Sequence, residues 1–239
     1  MIQIDLHVHS IFSRCGLHTV LELINKARAL GMKGLAVTDH GLTMGGRLND
    51  VFFNRFICPF DDILFFKGIE CNILDEHGAI DLPSEYQPYL DVVLLGVHPN
   101  TPKGLSREYY TSLLISAIEK NPRIDIITHP NDSVYPLDYA VIANKAASLG
   151  IALELNNSRI LYSRSSVENT LSFLKVCKQE RCRIAVCSDT HAIHELGQDS
   201  SVIPLLEKAD FPENLIITRD ASTTLVFLNE IKRKHNICY

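Results

Sequence analysis

This sequence predicts an α/β fold, a single closed or nearly closed barrel of parallel strands. Three observations point there. Short apolar runs alternate with longer helical patterns along the whole chain, the signature of right-handed βαβ units. Seven such runs occur with no linker between halves, so residues 1–239 read as one domain. Six of the seven runs end in a His, Asp or Glu, as expected if their carboxyl ends share one functional rim. An open doubly wound sheet is the alternative, but neither a GxGxxG nor a P-loop pattern follows any of the runs.

In chain order, Ile2–Leu6 reads as a strand. Thr19–Leu30 has apolar residues at helical spacing and stops at Gly31. Gly34–Thr38 is a short buried strand. Leu64–Ile69 is another, followed by the turn Asp75–Gly78, which predicts a hairpin with Ala79–Leu82. Asp91–Val97 is a strand and Ser106–Lys120 a helix, with Ser106 a candidate N-cap. Asp125–Thr128 is a strand, and Asp138–Leu149 is a helix ended by Gly150. Strands at Ile151–Leu155 and Ile184–Cys187 flank a helix at Ser166–Arg181, and helices follow near Glu195–Lys208 and Asp220–Lys234.

Composition excludes several classes. Hydrophobic residues make up 46% and charged residues 21%, a globular balance that rules out general disorder. A net charge of −5 lacks the basic stripe that coating a nucleic acid requires. No apolar run approaches the ~18 residues of a membrane helix, and no secretory leader pattern opens the chain. The seven cysteines (15, 58, 71, 177, 182, 187, 238) are odd in number and scattered, with no CxxC. That argues against a disulfide framework and predicts a reducing, cytoplasmic home.

The chemistry lies at the strand ends. In order they carry His7-Val8-His9, Thr38-Asp39-His40, Gly68-Ile69-Glu70, Val97-His98-Pro99, Thr128-His129-Pro130, Asn156-Asn157-Ser158 and Ser188-Asp189-Thr190-His191. His7 and His9 are two apart, so an extended backbone points both to one face, and Asp189 and His191 share that spacing. Asp5 falls on the same alternation, which predicts that it orients an imidazole from behind.

These motifs, with Asp5-Leu6-His7-Val8-His9-Ser10 at the start, resemble the PHP (polymerase and histidinol phosphatase) family over nearly the whole chain. Glu154-Leu155-Asn156-Asn157-Ser158 and Tyr162-Ser163-Arg164 resemble its YcdX-type phosphatase branch. The resemblance implies a distorted (β/α)7 TIM-like barrel over residues 1–239 and hydrolysis of small phosphomonoesters by a metal-bridging hydroxide at a trinuclear centre. Carried over, the metal ligands are His7, His9, His40, Glu70, His98, His129, Asp189 and His191, with Glu70 as the natural bridge. Glu70, Asp189 and His191 are also the catalytic candidates. In that branch a further His stands six residues after the second His of HxH; Cys15 stands there in this chain, with His18 three residues on. Cys15 reads as a soft thiolate ligand or an inert buried thiol, and His18 as a helix-entry residue or a substitute ligand.

Mixed imidazole and carboxylate donors suit divalent ions: zinc first, with manganese or iron as alternatives, three per chain by resemblance. A phosphate needs cationic partners, and Arg164 is the first candidate for substrate binding, with Asn157 beside it and Arg55 a weaker one. Phe52, Phe53 and Phe56 read as packing over the barrel edge; His77, and His235 in the basic tail, read as exposed residues. The expected partner is a small phosphate ester, with no membrane and no nucleic acid, and a homo-oligomer is left open. The alternatives are a PHP-type nuclease or proofreading phosphodiesterase, an amidohydrolase-like metal hydrolase acting on C–N bonds, and a non-catalytic metal-binding barrel.

Overall fold

The computed structural model describes residues 2–104 and 106–235. Seven strands form one all-parallel sheet in sequence order: β1 (Ile4–Val8), β2 (Gly34–Val37), β3 (Leu64–Asn72), β4 (Val92–Gly96), β5 (Ile126–Ile127), β6 (Ala152–Asn156) and β7 (Ile184–Cys187). The sheet closes where Val8 bridges Thr190; His9 N donates to Thr190 O at 2.9 Å, and Thr190 N to His7 O at 3.3 Å. That closure excludes the open-sheet alternative.

Among the described residues, eight α-helices connect or cover the strands: α1 (Val20–Ala29), α2 (Asp50–Arg55), α3 (Arg107–Lys120), α4 (Tyr139–Leu149), α5 (Asn157–Leu161), α6 (Val167–Gln179), α7 (Ile203–Lys208) and α8 (Ala221–His235). Local chemistry sets their ends. Thr19 and Glu22 form a reciprocal capping box at α1, while Ser106, Asp138 and Ser166 accept from backbone N–H groups of the first turns they cap. Gly150 takes the left-handed conformation that ends α4 (φ 71°), which a side chain would strain.

Two apolar layers follow from strand alternation. Leu35, Val93, Leu95 and Leu153 face outward against α1, α3, α4 and α6. Ile4, Ala36, Phe66, Val92, Ile126, Ala152 and Ala185 face inward and pack with Phe227, Leu228 and Ile231 of α8. The barrel is therefore a filled core, and later strand positions carry the polar groups.

Several expectations change. The helix predicted over Glu195–Lys208 is only α7, because the Glu195 carboxylate accepts from His191 N (2.7 Å) and Ala192 N (2.9 Å) and so holds this stretch as a turn. The hairpin after β3 is a single bridge, Ile73 to Ile80. His235 is not solvent-exposed: it reaches Asp125 at 3.2 Å, and Lys232 pairs with Asp91 at 3.2 Å, tying down the basic end of α8. Among the described residues no helix is long and apolar enough to cross a membrane. The described cysteines are all free; Cys238 lies outside the described residues.

Candidate metal centre

Side chains from six strand ends meet at the barrel mouth. Glu70, fully buried, is their hub. Its Oε1 lies 3.1 Å from His98 Nε2 and 3.1 Å from His129 Nε2, and accepts from Thr128 Oγ1 at 2.9 Å. Its Oε2 lies 3.3 Å from His7 Nε2, 3.4 Å from His9 Nε2 and 2.9 Å from His40 Nδ1. Asp189 Oδ1 sits 3.4 Å from His7 Nε2 and 3.3 Å from His9 Nε2. His191 stands at the rim, its ring 4.5 Å from that of His9.

Hydrogen bonds on the far side of three rings, those of His7, His9 and His98, choose their tautomers. Glu154 Oε1 accepts from His7 Nδ1 at 2.7 Å. The Ser13 hydroxyl donates to Asp39 (2.6 Å), so it accepts from His9 Nδ1 at 3.0 Å and from His40 N at 2.9 Å. Asn72 Oδ1 accepts from His98 Nδ1 at 3.1 Å. Each bond places the proton on Nδ1 and turns the Nε2 lone pair inward, the state in which imidazole binds a metal. His191 Nδ1 likewise donates to Asp189 O at 2.8 Å.

The donor set fits divalent ions. Ligand atoms on one tetrahedral ion, with bonds of about 2.1 Å, stand about 3.4 Å apart. His7 Nε2, His9 Nε2 and Asp189 Oδ1 are separated by 3.1, 3.4 and 3.3 Å. Among the described residues, three groups bring their ligand atoms within 4.8 Å of one another: His7–His9–Asp189, His40–Glu70–His98 and His9–Cys15–His40. Glu70 Oε2 and His40 Nδ1 are buried and lie 2.9 Å apart without hydrogen-bond geometry, as a carboxylate and an imidazole facing a shared cation would.

The electrostatics agree. Burial opposes charge on Glu70, but His7, His98 and His40 hold its carboxyl well below the usual range. Burial also opposes protonation of His7, yet Glu154 and Glu70 raise it well above the ordinary imidazole value. Against the same burial, Glu70 and Cys15 bring His40 to about 10, and Cys15 and Asp189 bring His191 to about 9. His9 is lowered by burial and by His40, and His129 falls to about 3 through burial and Arg159. The carboxylates thus draw protons onto some rings, and divalent ions would supply that positive charge in exchange. The backbone is strained at two of these residues, His129 (φ 35°) and Asp189 (φ 56°), both in the region that disfavours side chains.

Above the cluster lies a cavity of about 700 Å³, reached by Cys15, His40, Glu70, His98, Asp189 and His191 and flanked by Arg14, Arg159 and Arg164. Burial opposes a charge on Cys15, but His191 and His40 lower its thiol to about 7. His18 belongs to none of the convergent groups; its main-chain oxygen accepts from Ile11 N at 2.8 Å at the entry to α1.

A model of the PHP domain matches residues 5–158. The chain belongs to the PHP family. Among its relatives, a probable phosphatase of Shewanella sediminis is 35% identical over 236 residues, covering 97% of this chain and 95% of that protein. A probable phosphatase of Caldicellulosiruptor saccharolyticus is 34% identical over 231 residues, covering 95% and 96%. A histidinol phosphate phosphatase of Lactococcus lactis, solved with zinc, L-histidinol and phosphate, matches with a TM-score of 0.67 over 88% of this chain and 94% of its own. At 19% identity that likeness concerns the fold.

The PHP barrel also places residues that pattern reading missed or misjudged. Asp5 does not orient an imidazole. The register of β1 shifts between Asp5 and Val8, which breaks the alternation, and Asp5 accepts instead from Ser188 N (3.2 Å), Ser188 Oγ (2.5 Å) and Gly197 N (3.2 Å). The carboxylate behind His7 is Glu154, whose signal was a Glu at an inward position of an apolar strand. Asn157 does not reach the cavity: it is buried, and its Oδ1 accepts from Ser201 N at 2.9 Å. Arg55 lies in an outer apolar groove beside Phe52 and Phe56. Arg164 reaches the cavity but is 41% exposed and pairs with Asp132 at 2.7 Å. The deeper cation is Arg159, 12% exposed, with Nη2 3.5 Å from Asp189 and Nε 3.6 Å from Asp132. Its Nε has no hydrogen-bond partner.

Proposed function

We propose that this PHP protein is a metal-dependent phosphatase of small phosphomonoesters, working with three divalent ions, zinc first and manganese or iron as alternatives. Relatives along its full length named as probable phosphatases support the reaction class. The observation that carries the metal reading is Glu70. One oxygen lies against His98 and His129, the other against His7, His9 and His40, so Glu70 would hold metal together with these imidazoles. His7, His9, Cys15, His40, Glu70, His98, His129, Asp189 and His191 would hold the ions.

When bound, such ions lower the pKa of water toward about 7 and neutralise charge on phosphoryl oxygens. The chain does the rest. Arg159 lines the cavity, and a guanidinium is suited to two parallel bonds with phosphate oxygens. Arg164 adds a second cation from the rim. His191, its Nδ1 engaged by Asp189 O, lines the cavity and would bind an ion there. Asp189 spans the two halves of the site, with Oδ1 toward His7 and His9 and Oδ2 toward Arg159. A cavity of about 700 Å³ is the size of a small-molecule site.

The test is metal analysis with an aryl phosphate assay. The purified protein should carry about two to three ions per chain and release phosphate with zinc or manganese. His9→Ala and Asp189→Ala should abolish hydrolysis in folded protein. Turnover that survives both changes overturns the site; full metal occupancy without turnover on any monoester overturns the reaction.

A further inference from the structure

We infer that the metal centre is chemically divided, with a thiophilic ion held at the rim through the Cys15 thiolate and harder ions held below it by nitrogen and oxygen alone. The inference rests on the metal-dependent reading above. Of the three convergent donor groups, only His9–Cys15–His40 contains sulfur; the others combine imidazole with Glu70 or Asp189. The sulfur is not isolated. Cys15 lines the cavity with His40 and His191, is in no disulfide, and offers its Sγ within 4.8 Å of a ligand atom of His9 and of His40. The His40 ring joins this group to the oxygen donors below: its side chain is only 8% exposed, and its Nδ1 lies 2.9 Å from Glu70 Oε2 outside hydrogen-bond geometry.

The consequence is selectivity by position. Thiolate donors favour zinc-like, thiophilic ions, whereas carboxylate and imidazole sets also accept manganese. Zinc should therefore take the rim position ahead of manganese, while the Glu70 and Asp189 positions tolerate either. A thiolate bound to metal is also withdrawn from attack on electrophiles, so the occupant of the rim controls the reactivity of Cys15.

The experiment is cobalt substitution of the full chain, read by absorption. Cobalt bound at the rim gives a near-ultraviolet sulfur-to-metal charge-transfer band, which Cys15→Ser and Cys15→His both abolish while cobalt still binds at the other positions. A second readout needs no variant. Alkylation by iodoacetamide, mapped to the peptide carrying Cys15, should slow ~10-fold or more with zinc and remain fast with manganese. Cobalt binding without the band, a band that persists in Cys15→Ser, or equal protection by zinc and manganese overturns the inference. Phosphatase turnover in the same preparations shows that the wider reading stands in those cases; failure to bind any ion overturns both.

Discussion

Replacing Glu154 by glutamine isolates the part of the centre that lies behind the ligands. Glu154 is fully buried and uses both oxygens: Oε1 accepts from His7 Nδ1 at 2.7 Å, and Oε2 from His129 N at 2.7 Å and Asn156 Nδ2 at 3.0 Å. Glutamine has nearly the same shape but a single acceptor oxygen. If that oxygen stays on His129 N and Asn156, the new NH2 faces His7 Nδ1. The ring must then accept at Nδ1 and carry its proton on Nε2, which blocks the lone pair aimed at Glu70 and Asp189. Losing one bond to a charged acceptor costs about 1.5–3 kcal/mol. At about 1.4 kcal/mol per factor of ten, that is roughly a 10- to 100-fold loss of metal affinity, the range seen when outer partners of ligating histidines are removed. The assay is competition for zinc with a chromophoric chelator on wild type and Glu154→Gln, with urea denaturation of both to establish that the variant folds. An affinity within about threefold of wild type (about 0.7 kcal/mol) in a folded variant refutes the tautomer argument.

Other outcomes follow from the same geometry. Arg159→Lys keeps the charge but loses the fork, and should raise KM for an aryl phosphate by about tenfold or more, with kcat less affected; Arg164→Ala should change KM less, and the reverse order would give Arg164 the phosphate-binding role. Chelation should lower the melting temperature and added zinc restore it, because free metal at about a hundred times its Kd contributes about 2.7 kcal/mol to the folded state; identical melting curves with and without chelator would exclude ions as a structural element. Asp5 gives a pH signature. Burial, only partly offset by Ser188, His7 and Gly197, raises its carboxyl from 3.8 to about 6. The folded state therefore holds this proton more tightly than the unfolded chain, so its contribution is complete below pH 3.8 and lost as pH rises through about 6, an effect on the order of 3 kcal/mol. Urea midpoints across that window should fall more steeply for wild type than for Asp5→Asn, and parallel curves would refute the burial effect.

Pattern reading carried far where backbone periodicity decides the answer. Strand alternation and caps such as Thr19 and Ser106 act over a few residues, so seven parallel strands were legible, and with them the rim that gathers His7, His40, Glu70, His98, His129 and Asp189. It failed where a local irregularity broke the period. The register shift in β1 turned Asp5 away from the rings. The five-residue α5 is too short to show a helical period, so the sequence points to Arg164 rather than to Arg159 on that helix. Glu195, which reads as a helix former, is spent on the backbone of His191 and Ala192 and on the Tyr162 hydroxyl at 2.5 Å.

By itself, then, the sequence determined the order of strands and the kinds of donor at their ends, because those depend on short-range periodicity and residue chemistry. Only the tertiary structure decided which carboxylate stands behind which ring, which arginine lies deep in the cavity, and that Cys15 rather than His18 meets His9 and His40. Those choices depend on distances between residues such as His7 and Glu154, 147 positions apart, and no local pattern encodes a distance across a barrel.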